Sequence, residues 1–280
     1  MALIDLTLNV ACLLLWLNWR FIPFDPLGKG TPTTLAGTLR RTAPQQLKRW
    51  HFLVALAALL YFRALLYWQV GAAVSWTPNL RLGAIAIAFR SDFVGCMLLF
   101  SLFSFAVTLS VFYFWLLLLS IVNGSAADVD PWQRLGRLHL GRVDRWPWPI
   151  KLILPLLAVA LLWVTVSPIL ARLNIVPPAL SATHRLEQAV VIGLGAYLGW
   201  KYLVGGVLAL YLLNNYVFLG QQTFWTFVGA TGRKLLIPLR WLPLRLGKAD
   251  FAPLAEVVLV FLGAAFAERW LTVLYQRLPL

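Results

Sequence analysis

The chain has 280 residues, of which 61% are apolar and 12% charged, with a formal net charge of +14. Soluble domains run about 45–50% apolar and about 25% charged, so a soluble fold could not cover this much apolar surface, whereas lipid can. Most of the 24 Lys and Arg residues fall in short segments between apolar runs, a placement that argues for loops beside a membrane and against a nucleic-acid binder.

Six apolar spans follow in chain order, at about 3–22, 51–75, 93–122, 150–172, 186–218 and 253–275, each near or above the roughly 20 residues that cross a bilayer. Residues 1–19 carry no Lys or Arg, and Arg20 follows the apolar run. That is the reverse of a cleavable signal peptide, so the first span is expected to stay as a helix. The third and fifth spans are long enough to require tilt or a bend, and Gly205-Gly206 is the expected bend in the fifth. Cys12 and Cys96 both lie in apolar spans, as small buried residues rather than as a disulfide or metal framework.

Basic residues are unevenly shared among the loops. Residues 20–50 hold six, 124–151 hold five and 219–250 hold five, against two each in 76–92 and 172–187. The positive-inside rule then places loops one, three and five in the cytoplasm and both termini outside.

Loops three and five resemble each other at an offset of 106 residues. Arg134 aligns with Arg240, Leu138 and Leu140 with Leu244 and Leu246, and Arg142 with Lys248. Gly141, Asp144 and Pro147 align with Gly247, Asp250 and Pro253, and each segment leads into an apolar span. The shared Gly-x-x-Asp-x-x-Pro pattern predicts a turn, a helix cap and a helix start. Gly admits a tight turn, Asp accepts bonds from free first-turn amides, and Pro suits the first helical turn. The first third repeats the plan of helix, basic loop and helix without that signature. The expected organisation is therefore an all-α integral membrane protein of about six helices in two or three repeats: 1–89 (degenerate), 90–184 and 185–280.

The basic residues of these loops, Arg134, Arg137, Arg142, Arg233, Lys234, Arg240, Arg245 and Lys248, are expected to contact anionic lipid or a partner. Pro238 and Pro243 forbid one long helix across residues 225–246, so short interfacial pieces are expected there.

The run from Pro238 and Arg240 through Leu246, Gly247, Asp250 and Pro253, followed by an apolar helix, resembles the YggT family of bacterial and plastid membrane proteins. Lys248 stands where the family has a second Gly, Ala252 where it has Ser, and the second Pro at 243 is one place early. The middle repeat keeps Gly141, Asp144 and Pro147. The resemblance implies a non-enzymatic multi-pass protein of the bacterial inner membrane that takes part in membrane organisation or assembly of other complexes. The extra N-terminal helix pair departs from the family's four-helix form.

Catalytic patterns are missing from the sequence: it has no His-Glu-x-x-His, nucleophile elbow or phosphate-binding glycine loop. His51, His139 and His184 fall at loop ends and are expected at the surface, with His184 on the opposite face from the other two. No metal, cofactor or catalytic residue is implied. Among the ionisable residues inside spans, Arg63, Lys201, Glu256 and Glu268 are the candidates for intramembrane charges. At about 1.5 Å per residue, Arg63 and Glu268 lie at similar depth, as do Lys201 and Glu256, so two pairs are expected, with snorkelling toward water as the alternative.

Two functions remain open at this point. One is an accessory or organising subunit with partner membrane proteins and anionic lipid, a second copy of the chain included among the partners. The other is a channel or transporter, for which Asn214 and Asn215 near Gly205-Gly206 are the only polar hint.

Overall fold

A computed structural model describes residues 2–20, 49–74, 76–83, 85–124, 131–217, 222–237, 245–246 and 249–278. The protein is an all-α multi-pass membrane protein, and among the described residues six helical segments are long and apolar enough to cross a bilayer. These are α1 (Ala2–Arg20), α2 (Arg49–Val74), α3 (Val94–Asn123), α5 (Trp148–Arg172), the pair α6 (Ala182–Gly195) and α7 (Trp200–Tyr216), and α9 (Ala252–Arg277). Two shorter amphipathic helices, α4 (Pro131–Leu140) and α8 (Thr223–Leu235), lie between spans. Many large side chains on the long helices point outward, among them Leu161, Leu262, Phe266 and Trp270. Water would not tolerate so wide an apolar exterior, and it is the surface that acyl chains cover.

The second loop is not irregular. It forms an antiparallel hairpin, β1 (Asn79–Leu82) with β2 (Ile85–Ala88), in which Leu82 pairs with Ile85. Two further short strands, β3 (Arg245–Leu246) and β4 (Ala249–Asp250), pair just before α9.

Contacts divide the chain into two compact units. The first comprises residues 1–78 and 89–109, so it holds α1, α2 and the beginning of α3. Its apolar core is Cys12, Leu56, Leu60 and Phe105, with Leu15, Trp16, Leu59 and Leu109 packed against them. Beyond this core lies an aromatic layer, Tyr67 against Phe100 and Trp76, and Phe100 against Phe89, with centroids 5.4–5.8 Å apart.

The second unit comprises residues 79–88 and 110–280. Within it α5 packs on α6, α7 on both α8 and α9, and α4 touches α8. Small residues set the α5–α6 approach. A Cβ at Gly193 would lie 2.8 Å from the Leu156 carbonyl oxygen, so any larger side chain would force the backbones apart.

The fifth span breaks at a different place from the sequence expectation. Gly205 and Gly206 sit inside continuous α7, and the interruption is a 3-10 turn at Ala196–Gly199. Gly205 serves close packing instead, since a Cβ there would meet the Phe261 ring of α9 at 2.7 Å. At the true break the Gly199 carbonyl accepts a 2.9 Å bond from the Trp115 indole N–H of α3. A side-chain donor from a neighbouring helix thus serves a carbonyl at the change of helical geometry, as a lipid-embedded break requires.

Gly193→Ala should cost about 1–3 kcal/mol through overpacking, read as a fall in melting temperature in detergent. Gly206 is the control, because among the described residues nothing lies within 4 Å of the point a methyl group would occupy there. Gly206→Ala should be neutral or stabilising by up to about 1 kcal/mol. Equal losses at both positions would contradict this account of the α5–α6 contact.

Candidate functional site

Inside the first unit the polar centre is Arg63 of α2. Its side chain is 0% exposed, so it does not snorkel. One terminal nitrogen, Nη1, donates to Asn9 Oδ1 of α1 at 2.7 Å. The other, Nη2, donates to the Asp5 carboxylate and to Ser104 Oγ of α3, the latter at 2.8 Å. Asn9 Nδ2 also donates to Ser104 Oγ (3.0 Å), and the Tyr67 hydroxyl donates to Asp5 Oδ1 (2.9 Å). The guanidinium carbon lies 5.3 Å from the Tyr67 ring centre and 5.8 Å from that of Phe100, within cation–π range.

Matching depths along the spans pair Arg63 with Glu268, and the structure corrects that: the carboxylate at Arg63 is Asp5. Depth alone cannot choose between helices at one level. A signal for the right partner was present. Asp5, Asn9 and Cys12 are spaced to share one face of α1, and Arg63 and Tyr67 are four apart on α2. The second expected pair fails too. Lys201 Nζ lies 3.3 Å from Glu268 Oε2, while Glu256 is buried with Oε2 lacking a hydrogen-bond partner among the described residues.

In the second unit the centre is Asp144, and its role differs from the expected one. The N-cap of α5 is Pro147, with extended backbone and no side-chain cap bond. Asp144 lies earlier, in a 3-10 turn at Gly141–Arg145, and its carboxylate faces three helices. It accepts from Ser120 of α3 at 2.5 Å and lies 3.4 Å from Arg137 Nε of α4 and 3.7 Å from Lys151 Nζ of α5. Lys151, 7% exposed in its side chain, also donates to Ser120 Oγ at 2.8 Å. Intervening residues carry the carboxylate away from the first turn of α5, so it tethers rather than caps. Gly141 does fill its turn role, at φ +57°.

At the matching position of the C-terminal segment, Phe251 is the N-cap of α9 and has no side-chain cap bond, while the Asp250 backbone belongs to β4. Pro253 lies in the first turn of α9 as expected. A side-chain cap occurs elsewhere, at α6, where Ser181 Oγ accepts from His184 N–H at 3.2 Å.

Of the basic residues, Arg137 lies on α4 beside Asp144, Arg142 is exposed on the 3-10 turn, and Arg233 and Lys234 end α8, with Arg233 exposed. Arg134 belongs to α4 and Arg245 to β3 by backbone. Gly247, Lys248, Pro238, Arg240 and Pro243 lie outside the described residues. His139, expected at the surface, is 4% exposed and packs edge-on against Phe112 at 5.9 Å. The amphipathic α4 turns that side inward.

A cavity of about 490 Å³ opens beside Asp144, between the end of α3, α4 and the start of α5. Arg137, Arg145 and Lys151 supply positive charge to its wall, Asp144 one negative charge, and Leu116, Leu119 and Phe227 an apolar side. Asn123 borders it and donates to Thr231 Oγ1 of α8 at 3.0 Å.

Comparison with protein-family models, with curated proteins and with solved structures finds no match for this chain.

Truncation of either partner in the Arg63–Asp5 contact should be costly, about 3–5 kcal/mol for Arg63→Ala because Asp5 and Asn9 lose their donor. The Arg63→Ala/Asp5→Ala double variant should recover part of the sum in a thermal double-mutant cycle; strict additivity would refute the contact. Asp144→Asn separates tether from cap. Asn caps helices as well as Asp, so a cap predicts almost no change, whereas loss of the negative charge between Arg137 and Lys151, and of one of the two acceptor oxygens, predicts about 1–3 kcal/mol lower stability.

Proposed function

We propose that the chain is a non-enzymatic accessory or organising protein of the bacterial inner membrane, which holds other membrane components while its basic segments rest on anionic lipid. The observation that carries this reading is the arrangement of α4 and α8. Both are short and amphipathic, they touch, and their last turns carry Arg137 on one and Arg233 and Lys234 on the other. Helices of this kind lie at the headgroup level with their bases toward phosphate. The loop bias favours a cytoplasmic position for that layer, with both termini outside. The YggT-like pattern around Gly141, Asp144 and Pro147 is in keeping with an organising role. Arg63 supports it as well, because a guanidinium closed off by Asp5, Asn9 and Ser104 serves cohesion rather than passage of ions.

Passage of an ion or small solute is the second reading. The features that favour it are the break between α6 and α7 and the buried Glu256, whose Oε2 has no hydrogen-bond partner among the described residues. Broken helices and buried carboxylates mark transport pathways.

Three experiments test these proposals. With the native cysteines replaced, Asp128→Cys should be protected from an impermeant thiol reagent in intact cells and Leu180→Cys should react; the opposite result inverts the topology. Liposomes holding the purified chain should show no solute flux above protein-free controls, and the chain should migrate in native gels with larger membrane assemblies. Flux that scales with protein and disappears in Glu256→Gln would replace the organising role with transport.

A further inference from the structure

The cavity beside Asp144 has features that a generally basic surface does not need. Among the described residues of its wall Arg137, Arg145 and Lys151 outnumber the single carboxylate of Asp144, so an anion entering it is favoured. Lys151 is almost wholly buried, and its ammonium is held by Ser120 and Asp144. That charge is fixed in place before any ligand arrives, which lowers the ordering cost of binding. Asn123 provides an independent sign. It borders the cavity, is 5% exposed, and has given its Nδ2 to Thr231. Its Oδ1 is left buried with no hydrogen-bond partner among the described residues. Buried acceptors are ordinarily satisfied, so this oxygen calls for a donor.

We propose that this cavity is a built site for one phosphate-bearing headgroup that also carries a hydrogen-bond donor. The phosphate sits on Arg137, Arg145 and Lys151, and a ligand hydroxyl or ammonium donates to Asn123 Oδ1. Its volume of about 490 Å³ falls within the roughly 300–1,000 Å³ of small-molecule sites. Trp146 and Trp148, both well exposed, stand at its wall, and indoles of this kind sit at headgroup depth. The proposal deepens the lipid-contact reading above and rests on it. A soluble glycerol phosphate offers the same chemistry as a lipid headgroup, so the experiment must separate the two.

The test is native mass spectrometry of the detergent-purified full chain titrated with four lipids: phosphatidylglycerol, phosphatidylmethanol, phosphatidylethanolamine and phosphatidylcholine. One tight phosphatidylglycerol per chain is expected, bound about fivefold or more tighter than phosphatidylmethanol, which has the same charge and no donor. Phosphatidylethanolamine, with an ammonium donor, should exceed phosphatidylcholine, which has none. Arg145→Glu, an exposed change expected to leave folding intact, should weaken the tight site about tenfold. Arg142→Glu, with the same charge change on the same turn but not part of the cavity wall, should reduce loose anionic lipid and alter the tight site by less than about twofold. A parallel titration with sn-glycero-3-phosphoglycerol distinguishes the sources: binding of lipid alone supports a membrane ligand, and equal binding of the soluble compound supports the site with a soluble ligand.

Equal weakening by the two arginine variants, or equal affinity for phosphatidylglycerol and phosphatidylmethanol, would overturn the built site while leaving a generally basic, lipid-attracting surface. Loss of any preference for anionic over zwitterionic lipid would remove the lipid-contact reading as well.

Discussion

Hydrocarbon offers no water to complete a hydrogen bond, so polar atoms on a span are under strong demand for a partner within the protein. Small polar side chains meet that demand locally. Thr7 bonds back to the Ile4 carbonyl, Asn18 to Leu14, Thr165 to Leu161 and Thr272 to Glu268, all within one turn of the same helix. Larger polar groups cannot fold back this way and must reach another helix. Arg63 needs both α1 and α3 to be served, and the Gly199 carbonyl at the break between α6 and α7 needs Trp115 of α3. Helix packing in both units is therefore fixed by polar requirements at a few points, with apolar contact filling the rest.

The two charged centres meet the constraint with different geometries. Arg63 is fully enclosed, and its planar fork distributes donors over an acid, an amide and a hydroxyl at once, a task to which a lysine ammonium is poorly matched. Asp144 is the inverse, a single acceptor shared by cations from α4 and α5 and a hydroxyl from α3. The first arrangement closes around its charge. The second leaves positive charge in excess beside an open space.

The 3-10 segments carry much of this geometry. At Gly141–Arg145 the tighter winding, entered through the positive φ of Gly141, swings Asp144 toward α3 and α4 instead of the start of α5. At Ala196–Gly199 it divides one long apolar run into two helices. Each segment also receives a side chain of α3, Ser120 at Asp144 and Trp115 at the Gly199 carbonyl.

Composition by itself determined that the chain belongs in lipid, and hydropathy determined six spans, because apolar length is a local property that no contact can undo. The turn before α5 and the start of α9 were legible for the same reason: Gly141 and Pro253 act through their own backbone restrictions. Partnership was not legible. Asp5 with Arg63, Lys201 with Glu268, and Asp144 with Ser120, Arg137 and Lys151 depend on which helix faces stand together, and a one-turn change in register moves a side chain by about 5 Å. His139 was misplaced for a related reason, since only the rotation of α4 about its axis decides whether that imidazole meets water or Phe112. The sequence could name the groups that needed a partner; the tertiary structure alone decided which partner came within reach.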